Sequence, residues 1–163
     1  MLTRERLRQL LSYDEVTGVF RWANPVSTAV HQGQIAGRKL NTGYWQIMVD
    51  SRRYQAHRLA WLWAYGEFPP SEIDHVNGDR SDNRLANLRP ATKAENQQNV
   101  GARKTNKCGF MGASLHMSGR WTAQIKHAGK KYYLGLYSTP EAAHAAYKAA
   151  KAELHTFQPT PRD

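Results

Sequence analysis

The spacing of hydrophobic positions changes several times within the first hundred residues. Leucines recur at helical spacing from Thr3 to Leu11, which predicts a short helix with the threonine as its N-cap. Residues 13–22 and 41–58 instead alternate around turn-forming positions, a pattern that is typical of β-hairpins. From 57 to 68 the spacing is helical again, until a glycine and two prolines end it. We therefore expect two helices among small hairpins.

A short strand, a polar loop and a helix follow. The segment EIDH is of β type and ends in Asp74 and His75, and the next dozen residues are mostly Asn, Asp, Gly and Arg. Such residues form turns, after which the chain returns through a second short strand. A further helix is predicted to start near Thr92, and it carries Asn96. Two strands and a helix form a compact ββα unit in which a strand residue and a helix residue can converge.

The last third of the chain has the pattern of a second module. Three β-type runs, near residues 112–116, 120–126 and 130–135, are separated by Ser-Gly and Ala-Gly turns. An alanine-rich helix follows, with Ser138 or Thr139 as its cap and a proline in its first turn. This pattern predicts a three-stranded meander backed by one helix.

The two modules are predicted to be joined by a polar, basic linker without apolar periodicity. The fold class is predicted to be α+β. The predicted segments are residues 1–53 (N-terminal helix and hairpins), 54–100 (the ββα unit), 101–109 (linker), 110–155 (second module) and 156–163 (tail).

The chain is basic, and the excess of positive charge is uneven. Its 163 residues include 23 Lys and Arg against 13 Asp and Glu, for a net charge of +10. Residues 1–100 hold 13 basic and 10 acidic side chains, whereas residues 101–163 hold 10 and 3. A polyanionic partner is expected, and nucleic acid is the commonest one for a basic soluble protein.

The single cysteine, Cys108, leaves no disulfide framework and no cysteine-rich zinc site within one chain, which fits a reducing cytoplasm. The N-terminus lacks the pattern of a secretory signal, and no stretch approaches the roughly 18 apolar residues of a membrane span. We expect a cytoplasmic protein with no membrane partner.

Asp74, His75 and Asn96 are residue types that suit phosphodiester hydrolysis. This reaction is extremely slow without a catalyst, so a site must activate water and neutralise charge on the phosphate. Hard divalent ions such as Mg²⁺ and Mn²⁺ take oxygen ligands, and Mg²⁺ usually keeps several waters, so one carboxylate and one amide oxygen are a suitable protein contribution. A histidine with an ordinary pKa of about 6.5 can accept a proton from water near neutral pH.

This motif resembles that of the HNH endonucleases, in the form found in phage and intron-borne homing enzymes. Asn87 follows His75 by twelve positions, and Asn96 follows after nine more, where Asn replaces the family's final His. The resemblance covers most of residues 54–99. It implies that His75 is the general base, that Asp74 and Asn96 hold a divalent ion, Mg²⁺ or Mn²⁺, and that Asn87 keeps the loop in shape.

Further residues near this motif are candidates for DNA contacts or support. Their basic members suit a phosphate backbone. They are Arg58, Arg80, Arg84, Arg89 and Lys93. His57 either supports the site or simply packs at a helix start. Asn83 either braces the loop or caps a short segment.

The second module resembles the AP2 DNA-binding domain, known from plant transcription factors and also found beside phage HNH nucleases. The resemblance rests on RWTAQI and KKYYLGLYSTPEAAHAAYKAA, and it implies a sheet lying in the major groove. The candidate contacts are Arg120, Trp121, Gln124, Lys126, Lys131 and Tyr133. Ser114 and His116 stand where the plant form has arginines, so the plant target is not carried over. Strand alternation leaves open whether Trp121 or Tyr133 lies outward.

The combined prediction is an endonuclease acting on double-stranded DNA in a bacterial or phage-infected cell, with its second module as a targeting domain. The alternative is a non-catalytic, sequence-specific DNA-binding protein whose HNH unit is structural or decayed. An RNA target is less favoured, because neither module resembles an aromatic stacking platform. No heptad seam is present, so a monomer that nicks one strand is preferred and no obligate protein partner is expected.

Overall fold

The structure is a computed structural model that describes residues 1–99, 106 and 108–157. Within these residues it contains four helices and several small antiparallel sheets, in agreement with the predicted mixture of α and β elements. The chain forms two compact units, residues 1–92 and 93–163. The predicted linker lies outside the described residues except at positions 106, 108 and 109, and the predicted tail except at 156 and 157.

The first unit opens with a capped helix and a hairpin. These elements are α1 (Arg4–Leu10), β1 (Leu11–Asp14) and β2 (Val19–Trp22). Thr3 Oγ1 accepts a hydrogen bond from Arg6 N at 3.2 Å, as the sequence predicts for an N-cap. Gly18 closes the hairpin with φ +71°, and a Cβ there would lie 2.5 Å from the backbone N of Arg84. Only glycine lets the hairpin approach the polar loop this closely.

A three-stranded antiparallel sheet follows, in the order β3-β4-β5. Its strands are β3 (Arg38–Lys39), β4 (Trp45–Val49) and β5 (Arg52–Gln55). Asp50 and Ser51 have φ of 46° and 63°, which is the left-handed pair that a two-residue hairpin turn requires. β3 was not predicted, because a two-residue strand has no periodicity.

Helix α2 (Ala56–Tyr65) packs on this sheet and ends at Gly66, whose φ is +84°. Its buried leucines, Leu59 and Leu62, join a core built from α1 and the two sheets. The largest buried side chains of that core are Phe20, Leu7, Leu11, Ile47, Leu59, Leu62 and Val49. A strand pair completes the unit: β6 (Glu72–His75) and β7 (Leu88–Ala91), joined by a loop that includes a 3₁₀ turn at Leu85–Asn87.

The second unit contains the predicted meander and its helix. The elements are α3 (Lys93–Gln98), β8 (Ala113–Leu115), β9 (Trp121–His127), β10 (Lys130–Tyr137) and α4 (Pro140–Leu154), and the strand order is β10-β9-β8. Thr139 caps α4 by accepting from Ala142 N at 3.2 Å. At Gly112 a Cβ would lie 2.2 Å from the Tyr147 ring, so glycine is needed where β8 begins under α4. The likeness to AP2 stays a prediction.

Helix α3 is held within the second unit by its C-terminal end. Lys151 Nζ donates to Gln98 O at 2.6 Å, and Phe157 N donates to Gln98 Oε1 at 3.1 Å. Across the part of the chain that the structure describes, no helix has the length and apolar character to cross a membrane.

Candidate active site

The β6-β7 pair positions the Asp-His dipeptide. Asp74 pairs with Arg89 across the two strands, and His75 pairs with Leu88. Ile73, Asp74 and His75 are all buried, each at 4% exposure. Three consecutive buried residues mean that both faces of this strand end are covered. A carboxylate and an imidazole are therefore held together, shielded from bulk water.

An ion pair fixes the Asp74 carboxylate. Arg89 Nε donates to Asp74 Oδ2 at 2.8 Å, and Arg89 Nη2 lies 2.7 Å from the same oxygen. The Asp74 side chain is 5% exposed and that of Arg89 is 26% exposed, so removing Arg89 would leave a buried carboxylate without its compensating charge. Arg89, predicted as a DNA contact, is thus engaged with the carboxylate.

The loop between β6 and β7 is braced by its own polar side chains. Asn87 Oδ1 accepts from Asn77 N at 2.9 Å, while Asn87 Nδ2 donates to Asp82 O at 2.9 Å. Asn77 Nδ2 in turn donates to Asp82 Oδ2 at 2.8 Å. Asn87 is buried at 7% exposure, so its amide satisfies backbone groups that water does not reach. This arrangement matches the shape-keeping role that the resemblance implies for Asn87.

Asn87→Ala is therefore expected to destabilise the protein by about 2 to 4 kcal/mol, because it leaves Asn77 N–H and Asp82 C=O without their partner. Urea denaturation of the full chain measures this. Asn41→Ala, an exposed substitution of the same kind, is the control and should stay within about 0.5 kcal/mol of wild type. A loss at Asn87 no larger than at Asn41 would contradict the bracing role.

His75 lies in an aromatic and imidazole environment. Its ring centroid is 5.1 Å from that of His57, with the planes nearly perpendicular at 86°, and 5.9 Å from that of Tyr44. Tyr44 also lies 5.4 Å from His57. Burial lowers the pKa of His75 from its ordinary value, while a polar interaction with Asn83 and the charges of nearby aspartates act in the opposite direction. His75 is consequently neutral at pH 7 and able to accept a proton.

Asn83 is buried beside His75, at 3% exposure. Its Nδ2 donates to Ser81 O at 3.0 Å, and Tyr13 Oη donates to Asn83 O at 2.8 Å. Its Oδ1 has no hydrogen-bond partner of good geometry, so the interaction with the imidazole is polar but weak. Asn83 thus connects the loop to the first hairpin.

His57 is a buried, neutral histidine, and it gives the fold a pH dependence. Burial, followed by the charges of His75 and Arg58, lowers the pKa of His57 from 6.5 to about 3. The unfolded chain therefore binds more protons than the folded one between these values, so stability is complete above pH 6.5 and decreases as the pH falls toward 3. The expected slope from this residue is up to about 1.4 kcal/mol per pH unit.

His57→Phe tests this expectation, since it keeps an aromatic ring and removes the titrating group. Urea denaturation at pH 7 and pH 5 should show a smaller acid destabilisation in the variant than in wild type. Equal pH dependence in both would show that His57 is not the source.

The predicted arginines have structural partners in the first unit. Arg58 Nη1 and Nη2 donate to the carbonyls of Ser71 and Pro69, each at 3.2 Å. Arg80 Nη1 donates to Thr42 O at 3.0 Å. Its guanidinium carbon lies 4.9 Å from the Tyr44 ring centroid.

Arg84 belongs to the loop itself. It forms an exposed ion pair with Asp82, whose Oδ2 lies 2.5 Å from Nη2. Lys93 is exposed at the start of α3 in the second unit. The DNA contacts of all five cations remain predictions.

Two contributors were missed by the sequence reasoning. Nothing in the sequence pattern points to Tyr44, which precedes β4 and reaches the histidines only through the tertiary fold. The pairing of Arg89 with Asp74 could have been found, because antiparallel strands joined by the polar loop place those residues opposite each other.

A divalent ion is implied by the resemblance, with Asp74 and Asn96 as its expected protein ligands. No group of three or more His, Cys, Asp or Glu side chains in the described ranges is arranged as a metal cage. One carboxylate from Asp74 and one amide oxygen from Asn96 would suit Mg²⁺ or Mn²⁺, because such ions complete their coordination with waters and substrate oxygens. The structure places Asn96 on α3, and its approach to Asp74 remains a prediction.

The sheet of the second unit has one covered and one open face. Ala123 and Ile125, at 0% and 2% exposure, point toward α4. Alternation puts Trp121 on that covered side. Gln124 pairs with Tyr133, and Lys126 pairs with Lys131, all on the opposite side.

Four of the six predicted contacts therefore share the open face of this sheet, which we name the meander face. They are Gln124, Lys126, Lys131 and Tyr133. Arg120 precedes β9, and its Nη2 donates to Leu136 O at 2.8 Å, so its DNA contact stays a prediction. Tyr133 is 65% exposed, which answers the question that alternation left open. Trp121 does not share this face, so its DNA contact finds no support in the sheet geometry.

Part of the chain matches a known protein family. Residues 54–98 match the sequence profile of the HNH endonuclease family. The matched stretch begins at Tyr54 in β5 and ends at Gln98 in α3, so it contains all four residues of the predicted motif. No curated protein and no solved structure shows significant similarity to the chain.

Proposed function

We propose that the chain is a metal-dependent DNA endonuclease of the HNH type, of the kind carried by phages and introns, that hydrolyses phosphodiester bonds. The observation that carries this proposal is the buried Asp74-His75 pair at the end of β6, facing a loop braced by Asn87, inside the stretch that matches the HNH family.

His75 would take a proton from the attacking water. Because burial lowers its pKa, the imidazole is neutral before the reaction and has a lone pair to offer. The carboxylates of Asp74, Asp79 and Asp82 favour its charged form, so they would stabilise the imidazolium that proton transfer creates. The edge-to-face packing of His57 would limit rotation of the ring.

Asp74 and Asn96 would supply the protein oxygens for Mg²⁺ or Mn²⁺. The ion, when bound, would neutralise charge on the scissile phosphate and on the leaving oxygen. Arg89 would hold the Asp74 carboxylate in one orientation through its two contacts with Oδ2.

The second unit would target the enzyme to its site through the meander face. Lys126 and Lys131 lie directly opposite each other on neighbouring strands. Like charges in this position are destabilising, and a bound phosphate would relieve the repulsion. The repulsion between the two lysines in the unbound protein therefore favours a polyanion as the ligand of the meander face.

Asp74→Ala and Asn96→Ala are expected to raise the Mg²⁺ or Mn²⁺ concentration needed for half-maximal cleavage, because each removes one protein oxygen from the ion. Asp50→Asn, which removes the charge of an exposed ion pair with Arg6 and keeps a residue type that tolerates the left-handed turn, is the control and should leave the metal titration unchanged. Unchanged titrations for both site variants would show that the ion is held elsewhere.

A further inference from the structure

The sheet of the first unit has an open face that the proposed mechanism does not use. In β4, Ile47 and Val49 are buried at 0% and 1% exposure and join the core. Alternation turns Gln46 and Met48 to the other side, and Met48 is 58% exposed. Because Met48 is so exposed on the central strand, this side of the sheet is open to solvent in the described unit.

Strand register extends this open side across all three strands. Arg38 of β3 pairs with Gln46, which pairs with Gln55 of β5, and Met48 pairs with Arg53. Paired residues lie on one side of a sheet. The open side, which we name the sheet face, therefore consists of Arg38, Gln46, Met48 and Arg53, while Gln55 lies at its edge with Oε1 buried.

The composition of the sheet face suits DNA bases as well as phosphates. None of the three strands contains an Asp or Glu, and both arginines are exposed. Arginine reads guanine and glutamine reads adenine by paired hydrogen bonds in the major groove, and apolar groups contact the thymine methyl. A surface that bound only phosphates would not need a glutamine and a methionine between its arginines.

The sheet face leads toward the proposed general base. Two residues before Gln46 in the chain is Tyr44, whose ring centroid is 5.9 Å from that of His75. At about 3.3 Å per residue, Met48 and Arg53 lie about 13 Å from this point along β4. DNA rises about 3.4 Å per base, so the distance corresponds to about four base pairs.

We propose that the sheet face reads base pairs of duplex DNA about two to four positions from the cleaved bond. Arg53 would read the farther pairs, and Gln46 and its partner Arg38 the nearer ones, which makes all three specificity-determining residues. This inference rests on the proposed DNA substrate. The sheet face would then fix where the cut falls, while the meander face would act as a second and separate anchor.

Arg53 and its neighbour Arg52 provide a matched pair for the test. Arg52 is also exposed and carries the same charge, but it pairs with buried Val49 and so lies off the sheet face. Arg53→Ala and Arg52→Ala each remove one positive charge from the same strand. Only the first removes a side chain of the sheet face.

The experiment selects binders from a pool of fully randomised DNA duplexes with full-length protein in the absence of metal, and sequences what is retained. We expect wild type to enrich a motif and Arg53→Ala to lose about 5- to 150-fold of discrimination at one or two base pairs of it. Arg52→Ala should keep the whole motif. If Arg53→Ala enriches the wild-type motif unchanged, or wild type enriches none, the inference is wrong.

Adding Mg²⁺ or Mn²⁺ to the enriched duplexes then maps any cut relative to the affected base pairs. We expect the cut about four base pairs away. A cut more than one helical turn away, about 10 base pairs, would overturn the placement. Selection requires no cleavage, so the two proposals can fail separately. A motif that depends on Arg53 but is not cut would support base reading by the sheet face and would contradict only the endonuclease proposal.

Discussion

Replacing His75 with alanine is expected to lower the rate of DNA cleavage by about 10²- to 10⁴-fold and to leave DNA affinity nearly unchanged. This is the usual cost of losing a positioned general base. His75 is buried at 4% exposure, so it contributes little surface to a DNA contact. Single-turnover cleavage and equilibrium binding, measured on the same duplex, separate the two effects.

The matched control for this variant is His31→Ala, since His31 is an exposed histidine in a loop. It should cleave at the wild-type rate. A thermal unfolding curve of His75→Ala shows whether the variant is folded at the assay temperature. Wild-type turnover by a folded His75→Ala protein would contradict the assignment of the general base.

The second large effect is expected at the meander face. Lys126→Ala combined with Lys131→Ala should lower the slope of log affinity against log salt by about 2, because each neutralised phosphate contributes about 0.9 in duplex DNA. The same relation gives an affinity loss of about 10- to 100-fold at 0.1 M salt. Titration of one duplex at several salt concentrations measures both quantities.

The control for this pair is Lys130→Ala with Lys148→Ala, which removes the same charge from the same unit. Lys130 pairs with His127, on the side of the sheet that α4 covers, and Lys148 is exposed on α4 itself. We expect the control pair to keep the wild-type slope. Equal losses for the two pairs would show that net charge, and not the meander face, carries the affinity.

Helices and hairpins with strong local signals could be predicted from the sequence. Thr3 and Gly66 each have a conformation that their residue type favours, and the turn at Asp50-Ser51 lies where it was expected. β3 was missed because two residues carry no periodicity, and it forms only because β4 offers a partner edge. The open face of the sheet in the second unit could be identified only from the strand register, which the sequence pattern does not contain.

The candidate site was predictable as a set of residue types but not as a set of contacts. The motif spacing pointed to Asp74, His75 and Asn87, because their chemistry and separation are distinctive. The roles of Tyr44 and Arg89 depend on which strands lie side by side. Such tertiary neighbours leave no local signal.

The placement of α3 affects how the two units should be tested. Its Gln98 is bound by Lys151 and Phe157, so a chain ended near residue 101 would lose partners of the helix that carries Asn96. Loss of cleavage after such a truncation would mix targeting with damage to the proposed metal site. Point substitutions on the meander face avoid this difficulty.

The most direct test of the central claim is incubation of the full chain with supercoiled plasmid and Mg²⁺ or Mn²⁺, with and without a chelator. We expect the plasmid to become nicked before it becomes linear, because one active site per chain makes one cut at a time. The chelator and His75→Ala should each prevent the conversion. If a folded chain binds the plasmid but leaves it supercoiled in the presence of Mg²⁺ and also of Mn²⁺, the protein is a DNA-binding protein and not an endonuclease.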